Sequence, residues 1–282
     1  MTNLAFALVL LAILCHACWN YVCKKSSGNL SVLWIGKLLA LIVIAPFSLL
    51  NLPDKTIVFR DYPYLIATGV IHSLYFYFLA KLYKKGEIST VYPIARGIGV
   101  AGTAILGQLL LKEKVSSGGV LAILFICAGI LIIGLSQLRT TRDNSLYGAV
   151  LVGLIISAYS INDKIGVKSF HPIAFITGQM ILTIIFLLPV VFFFYRDELV
   201  DAWRTKKKYS IVTGIGSLGS YLLILFAFRL GPATYIVALR ECSVVIGALF
   251  GFVFLKEQFT LKKLVGIGTV TAGMMLIYMV SK

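Results

Sequence analysis

The sequence predicts an all-α membrane protein: ten transmembrane helices arranged as two inverted five-helix repeats. Three observations carry that expectation. Hydrophobic residues make up 59% of the 282 residues and charged ones only 13%, far more apolar than an ordinary soluble domain. The apolar residues fall into ten blocks, each close to the roughly 20 residues a helix needs to cross about 30 Å of hydrocarbon. The second half of the chain repeats the first at an offset of 144 residues. Leu, Ile, Ala, Phe and Gly fill the blocks without the alternation of a transmembrane barrel strand, so a helical bundle is the class that fits. No stretch is left over for a soluble domain, and residues 1–140 and 141–282 form the two repeats.

The first span covers residues 4–23. No basic n-region precedes it, and "CHACWNYVCKK" offers no small-x-small cleavage site, so a retained helix is expected rather than a signal peptide. It carries His16, Trp19, Asn20 and Cys23 at spacings of 3, 4 and 7, one polar-aromatic stripe. The second and third spans cover 31–50 and 64–82, and the third adds His72 with Tyr75 and Phe76. The fourth, 88–111, contains "VYPIARGIGV" and sets Arg96 about nine residues into the helix, near the bilayer centre at a rise of about 1.5 Å per residue. An arginine at that depth costs on the order of 3 kcal/mol or more, so it must meet a partner or a polar cavity rather than lipid. It shares a face with Tyr92, Gly99 and Thr103.

The fifth span, 117–137, holds the pair Ala128-Gly129, and the sixth, 146–163, repeats the stripe of the first with Tyr159, Asn162 and Asp163, followed by Gly166. The seventh covers 172–195. The eighth, 209–228, contains "GIGSLG", which fits the dinucleotide-binding G-x-G-x-x-G but lies inside an apolar span with no preceding strand, so it belongs to close helix packing. The ninth, 232–254, places Arg240 at the depth of Arg96, on a face with Ser243 and Gly247, while Glu241 points about 100° around the helix. The tenth, 261–280, contains Ala272-Gly273.

The repeat is visible in the alignment itself. Arg96 falls on Arg240, "LKE" at 111–113 on "LKE" at 255–257, and Ala128-Gly129 on Ala272-Gly273. Thr103 meets Gly247 and Gly107 meets Gly251, giving the fourth and ninth spans a small-xxx-small face for close packing. Because each half has five helices, an odd number, the halves enter the membrane in opposite directions. That is the architecture on which many transporters build alternating access around a midplane site.

With "HACWN", "VYPIARG", a charged "KE" closing the fourth and ninth spans, and an Ala-Gly pair in the helix that follows, the whole chain resembles the EamA-type members of the drug/metabolite transporter superfamily. The usual "GE" of that motif is here Lys112-Glu113 and Lys256-Glu257, a departure at the helix end. The resemblance implies transport of a small solute, a place in a bacterial inner membrane, and both termini in the cytoplasm. Loop charges point weakly the other way. Loops after the odd-numbered spans, counted with Lys81, Lys262 and Lys263 in the adjoining span ends, hold 15 Lys and Arg against 8 for the others with the C-terminus, but five of the 15 sit in "RDELVDAWRTKKK".

Two central arginines against one central glutamate leave a positive remainder. The partner of Arg96 is an anion, either Glu241 in an interhelical ion pair that fixes packing or an acidic group of the cargo held by the planar fork of donors. Intramembrane polar groups on aromatic stripes in several helices are what a small-solute cavity needs. Arg96 and Arg240 would take the acidic group, Trp19, Tyr75, Tyr92 and Tyr159 would form walls, and Asn20, His72 and Asn162 would supply hydrogen bonds. His16, His72 and Glu241 are the only midplane groups suited to carry protons, which makes protons the candidate coupling ion.

The first function these residues support is therefore a secondary active transporter of a small anionic or zwitterionic metabolite, such as an amino acid, organic acid or phosphonate. A flippase for a lipid-linked phosphate or sugar head group is the alternative, and a non-transporting scaffold or receptor the third reading. The net charge of +15 lies mostly in loops flanking the spans, as membrane-anchoring charges do, so lipid rather than nucleic acid is the expected partner, with the protein a monomer or homodimer. The five cysteines, Cys15, Cys18, Cys23, Cys127 and Cys242, lie in or beside spans without metal-ligand spacing, and no cofactor, P-loop or catalytic arrangement is expected.

Overall fold

Hydropathy and length dictate helices that satisfy their own backbone in lipid, and the chain forms them almost without interruption. The computed structural model describes residues 1–26, 28–51, 59–85, 88–135, 143–247, 249 and 260–281. The helices are α1 (Asn3–Lys25), α2 (Leu30–Leu50), α3 (Tyr62–Lys85), α4 (Ile88–Leu110), α5 (Ser117–Leu135), α6 (Asp143–Ser169), α7 (Pro172–Phe194), α8 (Arg196–Thr205), α9 (Lys207–Leu230), α10 (Ala233–Arg240) and α11 (Leu261–Val280). Nine of the described helices are long and apolar enough to cross a membrane. The ninth span of the sequence is represented by α10 and by the helix that resumes at Ser243; Gly251 and the Lys256-Glu257 motif lie outside the described residues.

Helix starts follow local chemistry. Asn29 accepts from the Val32 amide at 3.1 Å and caps α2, His171 with Pro172 opens α7, and Thr260 accepts from the Lys263 amide at 3.3 Å at the head of α11. Two elements differ from the sequence expectation. The sixth span runs on to Ser169, and the partly buried Lys164 within it donates to the carbonyls of Phe228 and, at 2.7 Å, of Gly231. The charged stretch 196–208, expected as loop, begins as the ten-residue α8. Asp197 and Glu198 in its first turn and Arg204 in its last suit the helix dipole. At about 15 Å it is too short to span. It exposes Val200 and Trp203, with the Lys207 ammonium 4.8 Å from the indole.

The contacts between helices obey the repeat. Exchanging α1 with α6, α2 with α7, α3 with α9, α4 with α10 and α5 with α11 converts each principal contact into another: α1–α9 into α6–α3, α2–α9 into α7–α3, and α4–α6 into α10–α1. The pairs α5–α11 and α2–α7 map onto themselves. Each repeat therefore lends a helix to the other's packing, and the centre of the molecule belongs to both. The α5–α11 seam is closed by glycine: a Cβ on Gly129 would stand 2.7 Å from the Gly266 carbonyl oxygen, and one on Gly266 would stand 2.9 Å from the Gly129 oxygen. The expected packing role of "GIGSLG" is also seen, with the Gly214 backbone against Gly36 and Gly216 against Trp19; among the described residues nothing lies within 4 Å of the place a Cβ would take on Gly219.

Two buried apolar clusters form the core. One gathers Val9, Ile13, Ile224, Phe228 and Val237, the other Leu33, Leu79, Val91, Ile155 and Leu187. Leu41, Tyr92 and Tyr221 pack against both. On the face that carries both ends of the chain, the repeats are tied by Glu113, which follows α4. Its Oε1 accepts from the Ala233 amide at 2.7 Å, and its Oε2 from the Thr234 amide at 3.0 Å and hydroxyl at 2.7 Å, capping α10 of the other repeat. The Met1 amino group donates to the Ser281 carbonyl on the same face. The opposite face instead carries an open hollow of about 620 Å³ between Asn29, Tyr83, Lys84 and α8.

Candidate functional site

The site begins with a break in a helix. α10 ends at Arg240, residues 241 and 242 form a turn, and helix resumes at Ser243. Through the turn the backbone closes three-residue bonds, Cys242 N–H to Leu239 O at 3.0 Å, Val244 to Glu241 at 3.1 Å and Val245 to Cys242 at 2.9 Å. Such tightening inside a membrane helix is tolerated where protein rather than lipid surrounds it. Glu241 stands at this break, fully buried, and both central arginines converge on its Oε1.

Arg96 Nη1 lies 3.1 Å from Glu241 Oε1, and Arg240 Nε donates to the same oxygen at 2.9 Å. Arg240 Nη2 is 2.8 Å from it but out of hydrogen-bonding line, and Glu241 Oε2 has no partner among the described residues. The second guanidinium nitrogen of Arg96 donates to the Tyr75 hydroxyl at 3.2 Å, and its plane lies over Tyr92, 4.8 Å from the ring centre. Arg240 lies 5.6 Å from the centre of Tyr159. Aromatic faces and one shared carboxylate are thus what a permanently charged side chain needs at this depth.

A second cluster sits beside the first. Asp163 Oδ2 is 3.0 Å from His72 Nε2 and accepts from the Tyr221 hydroxyl, while Oδ1 accepts from Asn162 at 3.0 Å. The His72 ring stacks on Tyr159 with centres 4.5 Å apart. On α1, the Trp19 indole N–H points to His16 Nδ1 at 3.3 Å, and Ser220 Oγ lies at the same distance. An indole can only donate, so the ring proton of His16 belongs on Nε2, which has no partner among the described residues.

Between these clusters lies a cavity of about 40 Å³. That is near the 30 Å³ share of a single water and far below the roughly 300 Å³ or more of small-molecule sites, so the space between these side chains is water-sized in this conformation. Of the residues expected to form the site, His16, Trp19, His72, Tyr75, Tyr159 and Arg240 line it. The others are not among the lining residues. Arg96 lies over Tyr92 and reaches Glu241 and Tyr75, Asn20 donates to the His16 carbonyl at 2.7 Å, and Asn162 donates to the Tyr64 carbonyl at 2.9 Å.

Sequence reasoning missed three contributors. Lys37 on α2 lines the cavity with its ammonium 4.4 Å from the centre of Phe76; its signal was a lone lysine inside "WIGKLLALIVI", the same kind that drew notice to Arg96. Gln179 on α7 and Tyr221 on α9 line it too. A Gln or Tyr in an apolar span carries no comparable signal. The set of midplane titratable groups is also larger than expected, since Asp163 and Lys37 join His16, His72 and Glu241, and helices α2 and α7 join those expected around the site.

The family model for EamA-like transporters matches the chain twice, over residues 3–135 and 144–279. A solved crystal structure shares the fold with a TM-score of 0.80 at 13% sequence identity, covering 99% of this chain and 98% of that one. Among curated proteins no sequence match is found.

Proposed function

The chain belongs to the EamA-like transporter family, and from that premise we propose that it is a secondary active transporter which moves a small polar metabolite, anionic or zwitterionic, by alternating access around the central cavity. The observation that carries the reading is the shared ownership of that cavity. Lys37, His72 and Trp19 come from the first repeat, Tyr159, Tyr221 and Arg240 from the second. Rocking the repeats against each other changes the cavity from both sides at once.

The two membrane faces differ in a way that fits such a cycle. Glu113 holds the repeats together on the terminal face, while the opposite face carries the open hollow. Cargo would enter from the hollow, displace the contacts around Arg240, and leave when the Glu113 tie opens. His16, His72, Asp163 and Glu241 are the groups through which protons would be coupled to that movement.

Counterflow in proteoliposomes tests the reading. Acids and zwitterions that raise the melting temperature of the purified protein are loaded inside, and the labelled compound is supplied outside. Accumulation by the parent, absent from protein-free vesicles and lost in Arg240→Ala, is the expected result. A compound that binds through the cavity and is never moved overturns it.

A further inference from the structure

Among the described residues, the central cluster holds more basic groups than carboxylates. Lys37, Arg96 and Arg240 are all at least nine-tenths buried, against two carboxylates, Asp163 and Glu241. The carboxylates are already engaged. Glu241 Oε1 is shared by the two arginines, and Asp163 is held by His72, Tyr221 and Asn162. Lys37 is left over: among the described residues its ammonium meets the face of Phe76 and no carboxylate within 4.0 Å. It lines the cavity at 6% exposure.

A cation in such surroundings is costly unless something anionic completes it. We propose that Lys37 is the group that takes the acidic head of the cargo, and that the cargo is a net monoanion of the carboxylate or phosphonate class. This deepens and rests on the transporter reading. One negative charge from the cargo balances the three basic groups against the two carboxylates. Arg96 and Arg240 then hold Glu241 between them, so that it does not swing towards Lys37 and take the place of the cargo. Flat faces at Trp19, Tyr75 and Tyr159 complete a pocket for the remainder of the molecule once the repeats part. A zwitterion would bring an ammonium into a region already one cation in excess.

The experiment uses the full chain in detergent, as parent, Lys37→Met and Lys37→Arg. Thermal unfolding is followed against lactate, benzoate and methylphosphonate as monoanions, alanine as a zwitterion and alaninamide as a cation. Without any compound, Lys37→Met is expected to melt no lower than the parent, because an unbranched apolar chain replaces a cation lacking a carboxylate; a lower melting point would give Lys37 a structural role and overturn the assignment. With compound, a monoanion is expected to stabilise the parent and Lys37→Arg, and to lose about tenfold or more in apparent affinity in Lys37→Met. An undiminished shift in Lys37→Met, or a response to alanine or alaninamide with silence from every anion, overturns the proposal. Uptake of the same anion into proteoliposomes separates the two readings. Binding through Lys37 without uptake removes the transporter reading alone, and uptake by Lys37→Met at parental affinity removes the Lys37 assignment alone.

Discussion

At the scale of the residue, an arginine in a membrane helix is governed by what it finds within a few ångströms. Arg96 finds Glu241, Tyr75 and Tyr92, so the bland and the functional accounts of its charge meet at one carboxylate that it shares with Arg240. The sharing makes an ordering of variants predictable. Glu241→Gln strips two buried guanidinium groups of their carboxylate and is expected to cost on the order of 3 kcal/mol or more. Arg96→Met leaves one arginine on one carboxylate and is expected to cost less. Melting both variants in one detergent checks the order, and a lower melting point for Arg96→Met would show that Glu241 is not the centre of the cluster.

At the scale of the element, the helix end after α4 matters more than its motif suggests. The change from "GE" to "KE" leaves the glutamate in place, and Glu113 uses both carboxylate oxygens on the amides of Ala233 and Thr234 at the start of α10. An α10 of eight residues that ends in a turn has few backbone bonds of its own, so an anion at its N-terminus has a large share in holding it. Glu113→Gln removes the charge and leaves one oxygen for two amides. It is expected to destabilise the protein by about 1 kcal/mol and to speed hydrogen exchange at Ala233 and Thr234 before any other amide of α10. Unchanged exchange there would remove Glu113 as the tie on that face.

At the scale of the whole molecule, loop charge and family resemblance point to opposite orientations. The face opposite the termini holds the larger share of basic residues, but five of its 15 lie in and just after α8. That segment is a helix packed on α2, α7 and α9, with Asp201 paired to Lys206 at 2.8 Å and Glu198 to Lys84. Its basic residues are partly answered by its own acids, and without them the contrast is 10 against 8. We therefore expect both termini in the cytoplasm. A reporter fused after residue 282 that is active only outside the cytoplasm would reverse this and give the charge count precedence.

The same scales separate what could be read from the chain alone. Composition and block length determined the class and very nearly every helix, because in lipid a long apolar segment has one way to satisfy its backbone. The offset between Arg96 and Arg240 determined the inverted repeat, because two odd-numbered halves of one pattern must run in opposite directions. His16, Trp19, His72, Tyr75, Tyr159 and Arg240 were legible as a group, since polar and aromatic side chains at helical spacing in an apolar span need a shared interior. Which of the expected residues line a cavity and which do not was not legible. Helical spacing fixes a side chain's direction on its own helix, but the rotation of one helix against another is set by close contacts such as Gly129 with Gly266 and Gly36 with Gly214. Tertiary packing alone set Arg96 against Glu241, joined Asp163 to His72, and brought Lys37 from α2 to the lining.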